Sequence, residues 1–229
     1  MFHGHPNSII MMKFSFIDYF LLHSFDDFNE LVIDELTKLL NFLQLHIRKE
    51  DEIVIQYDTD TVTNEVKDYL KIIEKLHTNH KVIDFPLNKD FASFKNNLKS
   101  HCTKDWIFFI DADEYLSDDL LLNIHDILDA NKGIVDVISV PRINTVEGLT
   151  REHIDKWKWF VDSNGWVNYP DHQTRICINK PEIKWVNKVH ERLDGFKTYS
   201  TLPTSLEFSL NHPKTIERQE KQNNYYNTL

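Results

Sequence analysis

"DWIFFIDADEYLS", residues 105–117, runs five apolar residues (106–110) straight into three carboxylates, Asp111, Asp113 and Glu114. A short continuous apolar run of this kind reads as a buried strand. Carboxylates crowded at the strand end make one another's ionisation more costly. Either they form a plain solvated end or they share a cation. In an extended chain alternate side chains project to the same side, so Asp111 and Asp113 face one pocket while Ala112 faces the packing. Ser117, immediately before "DDLLLNI", is the helix N-cap, and Asp111 and Asp113 lie too far upstream for that task.

Working outward, the same alternation repeats. "SIIMMKFSFI" (8–17) reads as a strand, followed by an amphipathic helix over 28–47 capped by Asp26 or Asp27. Strand 51–58 precedes helix 64–77, strand 81–85 precedes helix 90–102, and strand 105–111 precedes helix 118–130. Phe91, Phe94, Leu98 and Cys102 stripe the third helix, with Lys95 and Asn96 on its polar side. Four strand–helix units in a row imply an α/β class with a mostly parallel, doubly wound sheet. Ligands bind such sheets at the carboxyl ends of the strands, where "WIFFID" stops.

After Gly133 the rhythm changes. "IVDVISVPRI" (134–143) reads as a strand, a Trp-rich segment fills 155–175, and "TRICIN" (174–179) and "EIKWV" (182–186) are short strands before a polar helix over 213–227. No internal repeat or linker interrupts the chain. We expect one domain over 1–229, with a nucleotide-fold half at about 8–130 and a less regular half at about 134–229. In that second half Trp157, Trp159, Phe160, Trp166 and Tyr169 have two readings, a sugar-stacking platform or packing against the sheet.

Composition narrows the function. The chain has 229 residues, 41% hydrophobic and 27% charged, with a formal net charge of −10. That charge argues against nucleic acid and anionic membranes as partners. Glycines number only five, and neither a Walker A sequence nor GxGxxG occurs, so phosphates must be held without a glycine cradle. Two hard carboxylates at a strand end suit Mg²⁺ or Mn²⁺ shared with substrate phosphates. Cys102 and Cys177 have no metal-ligand spacing and read as separate thiols of a reducing compartment. The apolar stretch 8–22 is broken by Lys13 and Asp18, too short to span a bilayer and without a cleavage site. We therefore expect a cytoplasmic protein, free or peripheral at the membrane.

"DFASFKNNLKSHCTKDWIFFIDADEYLS" (90–117) resembles the central block of the family 2 glycosyltransferases, which have the GT-A fold. There a helix with ARN-like residues leads into an apolar strand ending in D-x-D. "IVIQYDTDT" (53–61) resembles the family's second-strand motif. "YPDHQTRIC" (169–177) and "WVNKVHERL" (185–193) resemble the D-x-Q-x-R and V-H-E segments of a bacterial subgroup that includes lipopolysaccharide core transferases. "LNHPKTIERQEKQNNYY" (210–226) resembles that subgroup's late His and Tyr-ending helix. Three departures stand out: Asp60 replaces a family glycine, Lys95 stands where Arg is usual, and the first strand lacks the family's turn.

The resemblance implies a metal-dependent, inverting transfer from a nucleoside-diphosphate-sugar, a UDP-sugar, to a hydroxyl of a glycan, lipid or protein. It implies nucleobase contact for Asp58 and ribose or metal-water contact for Asp111. Asp113 would bind Mn²⁺ or Mg²⁺, with His212 completing the shell. Lys95, Asn96, Arg175 and His190 would belong to the nucleotide-sugar site, Arg175 on the diphosphate or in an ion pair. An inverting reaction needs a general base, and Asp171 and Glu191 are the candidates. Two other readings compete: a nucleotide- or glycan-binding module without chemistry, and a HAD-like phosphohydrolase. The latter wants a Thr or Val where Tyr115 stands.

Overall fold

The computed structural model describes residues 8–14 and 25–226. Its centre is a parallel block of four strands, β1 (Ser8–Phe14), β2 (Glu52–Asp58), β3 (His80–Phe85) and β4 (Trp106–Asp111), in the order β4-β1-β2-β3. Beyond β4 the sheet continues through β7 (Gln173–Ile178), β5 (Val137–Val140) and β10 (Tyr199–Thr201), with β7 antiparallel to both its neighbours.

Alternation along β4 explains its unbroken apolar run. Trp106, Phe108 and Ile110 pack to one face with α1 (Phe25–His46), α2 (Asn64–Leu76) and α4 (Asp118–Asn131), through Leu36, Leu43, Leu70 and Leu120. Ile107 and Phe109 pack to the other, with Ala92 and Leu98 of α3 (Phe91–Ser100) and Trp185 and Leu193 of a hairpin, β8 (Lys184–Val186) and β9 (Arg192–Asp194). Each such buried side chain contributes about 1.5–3 kcal/mol. Ser117 caps α4 as expected, accepting from the backbone N–H of Leu120 at 3.1 Å.

Several expected boundaries move. The strand expected over 134–143 divides at Pro141, which has no N–H for a ladder. Its second part, β6 (Arg142–Glu147), leaves the large sheet and pairs in parallel with β11 (Leu210–Thr215). Residues 213–215 therefore belong to a strand, and the last helix, α6, spans Ile216–Tyr226. The Trp-rich segment begins in the last turn of a short helix, α5 (Arg151–Trp157). Helix α1 begins at Phe25, so Asp26 and Asp27 lie in its first turn. Residues 15–17 of the first expected strand lie outside the described residues. Among the described residues no helix is long and apolar enough to cross a membrane.

Candidate active site

β4 stops at Asp111, and the chain turns at once: the Glu114 N–H donates to the Asp111 carbonyl at 3.0 Å. The acidic pair therefore sits on a tight turn, not on the extended strand that its alternation suggested. Asp111 and Asp113 nonetheless line the same cavity of about 540 Å³, while Ala112 packs into the core. Tyr115 then exchanges two backbone hydrogen bonds with Asn211, each 2.8 Å, which lays the turn against β11. That contact sets Asp113 opposite His212.

Asp113 is buried, and two partners meet its Oδ2: Arg218 Nη2 of α6 at 2.7 Å and His212 Nε2 at 3.1 Å. Burial alone would raise its pKa; His212 and Arg218 more than reverse this and hold the carboxyl well below the usual range. Burial pushes the His212 imidazole the opposite way from Asp113's pull, and its pKa is lowered. Arg218, charged at any working pH, keeps Asp113 ionised whichever protonation state His212 adopts. Arg175 donates through Nη2 to Asp111 Oδ2 at 2.8 Å and to Glu114.

The two candidate bases differ sharply. Asp171 accepts from Arg142 Nε at 3.0 Å and Nη2 at 2.7 Å, Asn144 Nδ2 at 2.9 Å and Gln173 Nε2 at 2.7 Å. Burial opposes its ionisation, but Arg142 and these amides prevail and lower its pKa. Glu191 reaches the cavity from the loop between β8 and β9, with Lys95 Nζ 2.7 Å away. Lys95 also lies 4.3 Å above the centroid of the Trp185 ring. Its helix is buried on two sides, so the polar face expected for Lys95 is an interior one, with 4% exposed.

Lys95, Asp111, Asp113, Asp171, Arg175, His190, Glu191 and His212 all line this cavity. Two expected residues do not. Asp58 is buried beneath a turn, accepting from the N–H groups of Asp60 and Leu87 at 3.2 and 3.0 Å and from the Thr61 hydroxyl at 2.9 Å. Its carboxylate fastens the loops after β2 and β3. Asn96 exchanges hydrogen bonds with the Trp185 backbone, donating at 2.8 Å and accepting at 2.9 Å. Of the five clustered aromatics none is fully buried, and Trp159 lines the cavity.

Glu114, Arg142, Asn144 and Arg218 were not singled out by the sequence. Arg142 and Asn144 follow Pro141, where the chain leaves the main sheet, and neither sits in a motif. Glu114 was visible as a third acid in the run, but nothing local marks it as the partner of Arg175 and Arg142.

Among the described residues no group of three or more His, Cys, Asp or Glu side chains is gathered tightly enough to hold a metal. Part of such a group is in place. Asp113 and His212 touch, Arg218 meets the same Asp113 oxygen, Oδ2, and Asp111, Asp113 and His212 all line one cavity. Carboxylate oxygen and imidazole nitrogen are the donor types that suit Mn²⁺ or Mg²⁺. The donor chemistry fits, with Asp111 tied back by Arg175.

Among solved structures, residues 1–349 of S. aureus TarS in complex with UDP-GlcNAc share 16% identity with this chain at a TM-score of 0.57, covering 91% of this chain and 58% of that one. The same fragment in complex with UDP shares 15% identity at a TM-score of 0.55, covering 90% and 60%. This chain thus spans about three-fifths of the length of those structures. The likeness is one of fold, the α/β architecture of GT-A glycosyltransferases. A search of curated proteins found no match. The family model described as glycosyl transferase family 2 matches residues 28–188, from the first helix through the acidic turn to the β8–β9 loop, and the chain belongs to that family.

Proposed function

We propose that this domain transfers a sugar, with inversion, from a nucleoside-diphosphate-sugar to an acceptor hydroxyl. The observation that carries this reading is the meeting of Asp111 and Asp113, His212 and Glu191, from three separate segments, in one cavity also lined by Lys95 and Arg175. Cations at this cavity, in a chain of net charge −10, support a diphosphate being received nearby, although each is also paired with an acid. Mn²⁺ or Mg²⁺ held by Asp113 and His212, with Asp111 beside them, would supply Lewis-acid stabilisation for the departing diphosphate.

Glu191 is the general base in this reading, because both Asp171 oxygens are already committed to Arg142, Asn144 and Gln173. The acceptor oxygen attacks the anomeric carbon and its proton passes to the Glu191 carboxylate. The bond from that carbon to the diphosphate oxygen breaks, and the nucleoside diphosphate leaves from the opposite face. Lys95 orients Glu191, and Arg175 holds Asp111. Asp58 and Asn96 act indirectly here, by fixing loops.

UDP is the nucleotide we favour, supported by the UDP-GlcNAc and UDP carried by the TarS structures. The D-x-Q-x-R and V-H-E segments support placement in the subgroup with lipopolysaccharide core transferases, and the acceptor is a glycan, lipid or protein, the range the wider family uses. Two unjoined thiols, Cys102 and Cys177, support a cytoplasmic site of action. We divide the domain into a nucleotide-sugar half over about 8–130 and an acceptor half over about 134–229.

The test is release of nucleoside diphosphate from a panel of nucleotide-sugars with and without Mn²⁺. Metal-dependent release that disappears in Asp113→Ala supports the proposal. Nucleotide-sugar binding without turnover would leave only a recognition module. Phosphate release from simple monoesters would point to hydrolysis instead.

A further inference from the structure

We infer that Asn144, itself held by Asp171, is a positioning residue that turns the Nε2 edge of His212 toward Asp113 as a ligand for the divalent cation; this rests on the metal-dependent reading above. Three contacts run in a line. Asn144 Nδ2 lies 2.9 Å from Asp171 Oδ2, Asn144 Oδ1 lies 2.8 Å from His212 Nδ1, and His212 Nε2 lies 3.1 Å from Asp113 Oδ2. Backbone register makes the middle contact: Asn144 and His212 are direct partners across the parallel β6–β11 pair.

The proton positions follow from the ends of this line. Both ends are carboxylates, and an ionised carboxylate only accepts. Asp171 is kept ionised by Arg142, so Asn144 must present its NH₂ to Asp171 and its carbonyl oxygen to His212. His212 must then carry a hydrogen on Nδ1. One amide and one neutral imidazole supply two hydrogens for three contacts. In a neutral ring the Nε2 lone pair faces the Asp113 carboxylate, two acceptors 3.1 Å apart. A cation bound between them resolves that contact. With the cation in place Nδ1–H is fixed by Asn144, as partners behind metal-binding imidazoles commonly do.

Asp171 thereby gains a task other than that of base. It locks the Asn144 amide, which locks the imidazole. Arg142 joins the same assembly, bound to Asp171 and, at 3.3 Å, to Glu114 behind the acidic turn.

The experiment reads the ring and the metal separately. In protein saturated with diamagnetic Mg²⁺, the ¹⁵N shifts of the His212 ring should show Nδ1 protonated and Nε2 on the metal. In Asn144→Ala, Mn²⁺ affinity measured from the free-ion EPR signal should fall about 10–100-fold. Asn144→Leu fills the same space without an acceptor and should fall with the alanine variant, while Asn144→Asp, which keeps an acceptor facing Nδ1, should hold Mn²⁺ affinity within about threefold of wild type, an outcome that repair of packing alone does not give. A His212 ring whose Nδ1 lacks the hydrogen in the Mg²⁺-saturated wild type overturns the inference. So does wild-type Mn²⁺ binding that Asn144→Ala leaves within about twofold. A wild type that takes up no Mn²⁺ overturns the metal reading itself, and this inference with it.

Discussion

Glu114 and Arg175 form an ion pair in the interior, with 0% and 3% of their side chains exposed, and Arg175 donates to Glu114 through Nη2. Glu114 also accepts from Arg142 and, through Oε2, from the backbone N–H of Asp111 at 3.1 Å. The third acid of the "DADE" run therefore serves the fold, tying β4 to β7 and β6 behind the cavity. Removing it leaves Arg175 buried without its closest partner. Glu114→Ala is expected to cost about 3–5 kcal/mol in urea unfolding, as breaking a buried pair does. Replacing an exposed acid such as Asp68, paired at the surface with Lys71, should cost under about 1 kcal/mol.

Kinetics separate the two acids once considered for base. Glu191→Gln should lower kcat about 10²–10⁴-fold and leave donor KM nearly unchanged, because the proposed role of the carboxylate is proton removal and not donor binding. Asp171→Asn should act chiefly through Mn²⁺, raising the concentration needed for half-maximal rate while saturating metal recovers most of kcat. Steady-state rates over a Mn²⁺ series check both. A larger kcat loss in Asp171→Asn at saturating metal would exchange the two roles.

Local pattern carried the front half of the fold. The apolar run 106–110 feeds both layers of core, and the four strand–helix units fall close to their expected positions. What periodicity does not carry is the path after Pro141. There the chain changes sheets, and β6 and β11, whose paired residues lie 68 positions apart in sequence, become neighbours. Asn144 and Arg218 owe their places to that pairing, so no window of sequence could have revealed them. Asp113 and His212 were legible only because each stood in a short motif. Asp58 shows the opposite limit: an acid after a strand is chemically suited to a ligand and to a turn, and here the turn holds it.

Acid should weaken the fold well before its carboxylates titrate. His80, at the start of β3, is 7% exposed, and burial, reinforced by neighbouring His77, lowers its pKa to about 4. A folded-state pKa below the unfolded value of about 6.5 means that the unfolded chain binds more protons between those limits. Stability is therefore full above about pH 6.5 and falls as pH drops toward about 4, with a slope approaching 1.4 kcal/mol per pH unit from this residue. Asp113 and Asp171, whose pKa values are lowered, add their loss only below the ordinary carboxylate range. Urea midpoints at pH 7.5, 6 and 5 should decline in wild type and decline less in His80→Gln.

Asn96 distinguishes a residue that touches the donor from one that supports the wall of the cavity. Its amide bonds both backbone groups of Trp185, whose ring lies under Lys95, which in turn holds Glu191. Truncation strands two backbone groups of a buried residue, so Asn96→Ala should lose about 2–3 kcal/mol of stability. Donor KM should stay within about twofold, while kcat falls modestly as Lys95 and Glu191 lose alignment. Asn96→Asp is the sharper probe. It keeps the acceptor for the Trp185 N–H but replaces the donor to the Trp185 carbonyl with a second acceptor, so it should be as unstable as the alanine variant. Calorimetry of nucleoside diphosphate binding decides the matter: a loss of affinity beyond about tenfold in Asn96→Ala, with stability near wild type, would place the amide on the ligand after all.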